Sequence, residues 1–242
     1  VPTRSGVIRL GTGEFADSLL LEKRIGMCRR VADLLSAYPN VLVEFKTKRP
    51  DLDAISSIGQ RSRVVIGFSM NTEEMIALHE QATAPLHERL HAIGECIAMG
   101  FWVAIHFDPM FWYPSWENDY RQLTRRIFEV VRDPSRIAWW SMGGFRTVVS
   151  LKSLLARQGR HRALFSGELL RGDDGKLRYF RPIRTAFYRA VHDEVTKAHP
   201  STTLYLCMES REVWEGAGMI NRIPHGLPGY LDQRASTMLG CG

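Results

Sequence analysis

Short apolar runs that end in polar residues recur along the 242-residue chain, and after most of them apolar positions return every three or four residues. The runs Val7–Leu10, Val41–Phe45, Val64–Phe68, Trp102–Phe107, Ile137–Trp140 and Thr203–Leu206 predict six strands. Asp17 or Ser18 is placed to cap a helix carrying Ile25, Cys28, Val31, Leu34 and Leu35. Pro85 suits the first turn of another, on which Leu86, Leu90, Ile93 and Ile97 share a face. Tyr120, Leu123, Ile127 and Val130, and then Phe187, Val191 and Val195, repeat that signal. Strands with unbroken apolar runs that alternate with amphipathic helices predict an α/β fold with a parallel, helix-covered sheet. The segment 166–180, with Gly-Asp-Asp-Gly near its centre, predicts an inserted β-hairpin. The Gly- and Pro-rich stretch 216–242 reads as an irregular C-terminal tail that could pack as a cap, and no linker divides residues 1–215.

Composition narrows the class. Apolar residues at 45% and charged residues at 24% describe a folded globular chain and exclude disorder. The longest apolar runs, such as 101–105, fall short of the roughly 18 residues that cross a bilayer. The first residues, Val1-Pro2-Thr3-Arg4-Ser5, form no apolar leader, which predicts a cytoplasmic protein. Cys28, Cys96, Cys207 and Cys241 are too far apart for any compact CxxC-type metal or redox motif. The net charge of +6 is concentrated: from Arg146 to Arg189, eleven Lys and Arg face only Glu168, Asp173 and Asp174, a local excess of +8. Such a stretch fits a phosphate-backbone binder, or simply a solvated basic face.

In a parallel α/β sheet, ligands bind at the carboxyl ends of the strands. Those ends are polar here: Gly11-Thr12-Gly13-Glu14, Lys46-Thr47-Lys48, Ser69-Met70-Asn71, His106-Phe107-Asp108-Pro109, Ser141-Met142-Gly143-Gly144 and Glu209-Ser210. The glycines allow close approach of a ligand, and Glu14 can take an ammonium group. Lys48 can neutralise a carboxylate or phosphate, or serve as a surface lysine before Pro50. His106 and Asp108 point the same way along a strand. His87, Glu88 and His91 match the letters H-E-x-x-H, so a metalloprotease is one alternative reading, although the buried stripe of that helix leaves the imidazoles at its margin. Trp112 and Tyr113, just beyond a strand, are candidates for ligand contact.

Taken in order, Gly-Thr-Gly-Glu-Phe-Ala-Asp-Ser (11–18), Glu-Phe-Lys-Thr-Lys (44–48), Phe-Ser-Met-Asn (68–71), Glu-Arg-Leu-His-Ala (88–92) and His-Phe-Asp-Pro (106–109) resemble the spore photoproduct lyase family of radical S-adenosylmethionine proteins. Gly-Phe-Arg (144–146), Asp-Gly-Lys-Leu-Arg-Tyr-Phe (174–180) and Tyr-Leu-Cys-Met-Glu-Ser (205–210) extend the resemblance from about residue 7 to about residue 214. It implies a partial (β/α) barrel and a DNA-repair lyase that cleaves S-adenosylmethionine to a 5′-deoxyadenosyl radical with a 4Fe-4S cluster. An electron donor such as flavodoxin or ferredoxin would serve it. By the same resemblance, Gly13 and Glu14 would meet the methionine end of S-adenosylmethionine, Lys48 its carboxylate, Ser69 and Asn71 the ribose, and Asp108 the adenosyl side. Arg178, Tyr179 and Arg181 would contact DNA from the hairpin. The family's CxxxCxxC loop is missing from the sequence, so the cluster ligands are expected upstream of Val1, and the chain is expected to be truncated and inactive alone. The family's hydrogen-donating Cys has no counterpart in 11–18, where Glu14 stands near its place; Cys207 could substitute or be a core thiol. A non-catalytic, basic α/β nucleic-acid-binding module is the second reading.

Overall fold

The computed structural model describes residues 6–13, 16–157, 168–172 and 174–240. All six expected runs become strands: β1 (Ile8–Thr12), β2 (Val41–Thr47), β3 (Val64–Ser69), β4 (Trp102–Met110), β5 (Ile137–Gly144) and, late in the chain, β9 (Leu204–Leu206). They pair in parallel in the order β1-β2-β3-β4-β5-β9, a half-barrel sheet surrounded by helices. Because both faces of the central strands are covered, Val64, Val65 and Ile66 are all buried, which is why the runs are continuous rather than alternating.

The outer face carries the larger core. Val43, Phe45, Ile66, Phe68, Ile105 and Phe107 pack against α2 (Met27–Leu35), α5 (Leu86–Ala98), α6 (Trp116–Val130) and α8 (Arg181–Ala198). Leu90 and Ile93 of α5, Leu123 and Ile127 of α6, and Val191 and Val195 of α8 supply the buried sides, following the expected periodicity. The first helical segment differs from expectation. Gly26, at φ 59°, breaks it into α1 (Glu22–Ile25) and α2, leaving Ile25 and Leu34 exposed. The buried Glu22 carboxylate accepts from Cys28 N and Arg29 N, so it caps α2 in place of Asp17 or Ser18.

The hairpin forms as β7 (Leu169–Arg171) and β8 (Leu177–Tyr179), antiparallel and joined to a short β6 (Arg146–Thr147). Residues 166 and 167 lie outside the described residues. α3 (Leu52–Ser56) and α4 (Glu73–His79) add Ile55 and Met75 to the same core, the largely exposed α7 (Val149–Arg157) follows β6, and α9 (Arg211–Gly216) follows β9.

The expectation of an irregular tail is corrected. Gly226–Leu239 is a helix, α10, whose Leu231, Ala235 and Met238 cover Val7, Leu42, Val65, Ala104 and Trp139 on the inner face of the sheet. Its breakers are confined to the ends. Gly226, Pro228 and Gly229 occupy the first turn, where N–H groups have no helical acceptor, and Gly240 closes the helix at φ 68°. Arg9 Nε bonds Asp232 Oδ1 at 2.9 Å, tying α10 to β1. The N-terminal half of the inner face is therefore plugged. The C-terminal half is lined by polar side chains.

Candidate functional site

Two-residue alternation along the strands sends Glu44 and Lys46, Gly67 and Ser69, His106 and Asp108, and Ser141 and Gly143 to the inner face, above the plug formed by α10. A cleft of about 430 Å³ opens at the ends of β1 to β3, lined by Gly13, Asp17, Lys46, Thr47, Lys48, Ser69 and the segment 81–83. Gly13 has φ 85°, and a Cβ there would lie 2.8 Å from Ser18 Oγ and 2.9 Å from Lys46 Cβ, so glycine is required by both conformation and space. Glu14 lies outside the described residues.

Asp17 builds this rim and was missed as a site residue. Its Oδ2 accepts from Thr47 Oγ1 (2.9 Å), Lys48 N (2.7 Å) and Arg49 N (3.2 Å), while Oδ1 accepts from Leu19 N (2.9 Å). One carboxylate thus clamps the segment that bears both lysines. Asp17→Ala is expected to cost about 2–4 kcal/mol of stability, the range for losing several hydrogen bonds to a charged acceptor, measured by urea denaturation. The sequence signal was its place after Gly-Thr-Gly, but its donors come from a strand thirty residues on.

Of the residues expected at the cofactor, Gly13, Lys48 and Ser69 meet at the cleft. Lys48 Nζ pairs with Glu80 Oε1 at 3.0 Å. Asn71 does not line it: the side chain is 1% exposed and spent on protein partners. Its Nδ2 donates to Pro109 O at 3.1 Å, and its Oδ1 accepts from Thr72 N and Tyr120 Oη. It supports the rim from below. Asp108 is on the same inner face but in a separate group, accepting from Arg146 Nη2 at 3.1 Å. Arg146 also reaches Cys207 Sγ at 3.4 Å, and burial together with the Asp108 charge pushes that thiol up to about 11.

Deeper on the inner face, His106 joins two strands. Its Nε2 and Glu44 Oε1 are 2.5 Å apart, and its Nδ1 and Ser141 Oγ are 2.6 Å apart. Burial alone would raise the Glu44 carboxyl, but the charge and hydrogen bond of His106, with Lys46 close by, hold it below the usual carboxylate range. The pair exists because Gly67 lies beneath it: a Cβ there would sit 2.4 Å from Glu44 Oε1 and 3.1 Å from His106 Nε2.

The hairpin forms a second, basic cleft of about 420 Å³ lined by Leu170, Arg171, Arg178, Phe180, Arg181 and Arg184. Several of these charges are used internally. Arg178 Nη2 bonds Asp174 Oδ1 at 2.5 Å, and Arg184 bonds Glu209 and, through Nε, Tyr179 O. Tyr179, expected as a DNA contact, is only 6% exposed; its hydroxyl accepts from Trp112 N at 3.3 Å and its ring packs on Phe145 and Phe187. Tyr179 ends β8 turned inward, while Phe180, 52% exposed, and Arg181, the first residue of α8, stay at the surface. Trp112 is also exposed at 51%, whereas Tyr113 is buried, its hydroxyl donating to Thr72 Oγ1.

His87, Glu88 and His91 lie on the exposed side of α5, and among the described residues no group of three His, Cys, Asp or Glu could hold a metal ion. Cys28 and Cys96 are buried free thiols, and burial pushes Cys96 up to about 12 and Cys28 higher. An iron-sulfur cluster needs convergent thiolates, so the described residues do not fit one. No helix among them is long and apolar enough to cross a membrane.

Comparison with known proteins agrees with the fold. A family model described as spore photoproduct lyase matches residues 5–138. A spore photoproduct lyase of Clostridium acetobutylicum is 21% identical over 118 residues, 49% of this chain and 35% of that protein. A solved spore photoproduct lyase complexed with dinucleoside spore photoproduct superposes with a TM-score of 0.73 at 16% identity, covering 84% of this chain and 63% of that one. A double mutant with bound AdoMet and dinucleoside spore photoproduct gives the same values. The chain thus spans about a third of the curated relative and less than two thirds of the solved ones. With more than half of its length matched by the family model, and with the parallel half-barrel on the page, the chain belongs to the spore photoproduct lyase family.

Proposed function

We propose that the chain is the S-adenosylmethionine- and DNA-binding part of a radical DNA-repair lyase acting on a thymine photoproduct. The observation that carries this is the meeting of Gly13, Lys46, Lys48 and Ser69 around one cleft at the ends of β1 to β3. The donor set fits a ligand carboxylate: Lys48 offers an ammonium, and Gly13, having no side chain, lets Ser18 and Lys46 close in beside it at the same rim. Asp108, bonded to Arg146, is the residue assigned to the adenosyl side on the strength of the family resemblance. Bound S-adenosylmethionine supplies the radical chemistry of the family. The chain's own residues bind and orient it and screen it from water, with α10 closing the floor beneath. On the hairpin, Arg171, Arg181 and Phe180 are the exposed groups suited to phosphate and base. An electron donor of the flavodoxin or ferredoxin class is the proposed redox partner.

Isothermal titration of the purified chain with S-adenosylmethionine tests the cofactor half. Lys48→Met is expected to weaken binding by about tenfold or more, the value of one charge-assisted hydrogen bond. Equal affinities for the wild type and Lys48→Met would refute the assignment.

A further inference from the structure

Arg89, on α5, is fully buried at 0% exposure, and neither ligand binding nor DNA binding gives it a task. Its Nε donates to Ala84 O (2.9 Å), Nη1 to Ser69 O at the end of β3 (2.8 Å), and Nη2 to Thr83 Oγ1 (2.9 Å) and Glu80 Oε2 (2.6 Å). The other oxygen of Glu80 accepts from Lys48 Nζ (3.0 Å), and Ala84 N donates to Lys48 O (3.0 Å). One guanidinium therefore joins the end of β3 to the 80–84 segment and, through Glu80, to the lysine at the end of β2. Three of the cleft's lining residues, Gln81, Ala82 and Thr83, belong to that segment. Ala82 holds a left-handed φ of 55°, a conformation that persists only where the surroundings impose it.

A buried ion pair contributes little net stability compared with apolar side chains of the same volume, so stability alone is a weak reason for this arrangement. Its charges suit another task. Arg89 balances Glu80, and the trio keeps the single positive charge of Lys48. Lysine has a flexible four-carbon stem, and tethering its ammonium removes motion that a ligand would otherwise have to arrest. The Lys48 side chain remains 36% exposed, and an ammonium has three N–H donors, of which Glu80 takes one.

We propose that Glu80, held by the buried Arg89, is a positioning residue that aims the Lys48 ammonium at a ligand carboxylate in this cleft, an inference that rests on the S-adenosylmethionine reading. Titration of the full chain with S-adenosylmethionine and with its decarboxylated analogue tests it. The wild type is expected to bind the carboxylate-bearing form about tenfold more tightly. Glu80→Asp keeps a carboxylate for Arg89 but is one methylene too short to reach Lys48 as well. It is expected to weaken S-adenosylmethionine about tenfold and to leave the analogue within about twofold, with no further loss in combination with Lys48→Met. Glu80→Gln, isosteric and uncharged, serves if the aspartate variant fails to fold. Retained discrimination in the Glu80 variant, or equal loss of both ligands, overturns the positioning role. A wild type that binds neither ligand, or both alike, overturns the cofactor reading and this proposal with it.

Discussion

Gly67→Ala is expected to destabilise the protein by about 3–5 kcal/mol, the cost of breaking a buried pair and stranding one of its charges. The new methyl would stand 2.4 Å from Glu44 Oε1, against a carboxylate that is buried and bonded to His106. Moving it separates Glu44 from His106 Nε2 and leaves the ring its Nδ1 bond to Ser141 Oγ. Gly11→Ala is the control. A Cβ there meets nothing within 4 Å on the edge strand β1, so its effect should stay within about 0.5 kcal/mol. Urea denaturation of both variants decides the matter, and equal midpoints would show that the inner-face pair is not tightly held. The same pair sets a pH dependence. Because the folded state lowers the Glu44 carboxyl, its contribution is present above the unfolded value of about 4.3 and is lost as pH falls through the lower folded value. Glu44→Gln should flatten that acid limb of the stability profile.

The second large effect is expected at the hairpin. Replacing both Arg171 and Arg181 by Ala should weaken DNA binding by about tenfold or more near physiological salt, and lower the slope of log affinity against log salt by about 2, since each phosphate that is no longer neutralised removes about 0.9. Both side chains are exposed on the basic cleft, where a phosphate backbone can reach them. Arg178→Ala should do less, since its guanidinium is already bonded to Asp174. Fluorescence anisotropy with a short duplex across a salt series measures all three. An unchanged slope in the double variant would remove the hairpin as the DNA-facing surface.

The positions of these residues were legible in the sequence to different degrees. Six strands could be read because burial on both faces makes a parallel strand apolar throughout, as in Val64–Phe68. The hairpin was marked by its glycines, of which Gly175 takes φ 76°. α10 was not legible, because glycine and proline at 226, 228 and 229 look like breakers until it is known that they occupy a first turn. Tyr179 and Asn71 were read from motif position, and neither carries a local sign of the aromatic and amide partners that bury it.

By itself, then, the sequence determined the alternation of strand and helix, the polar strand ends and the local surplus of positive charge, all of which follow from periodicity and composition near each residue. The tertiary structure alone decided which of those polar groups meet. Lys48 and Glu80 are 32 positions apart and meet because Glu80, at the end of α4, lies beside the end of β2, whereas Glu44 and His106, 62 apart, meet through strand register across Gly67. The physical reason is range: hydrophobic patterning acts through each residue's own face, whereas a hydrogen bond or ion pair requires two atoms within about 3 Å, a distance only the folded chain can set.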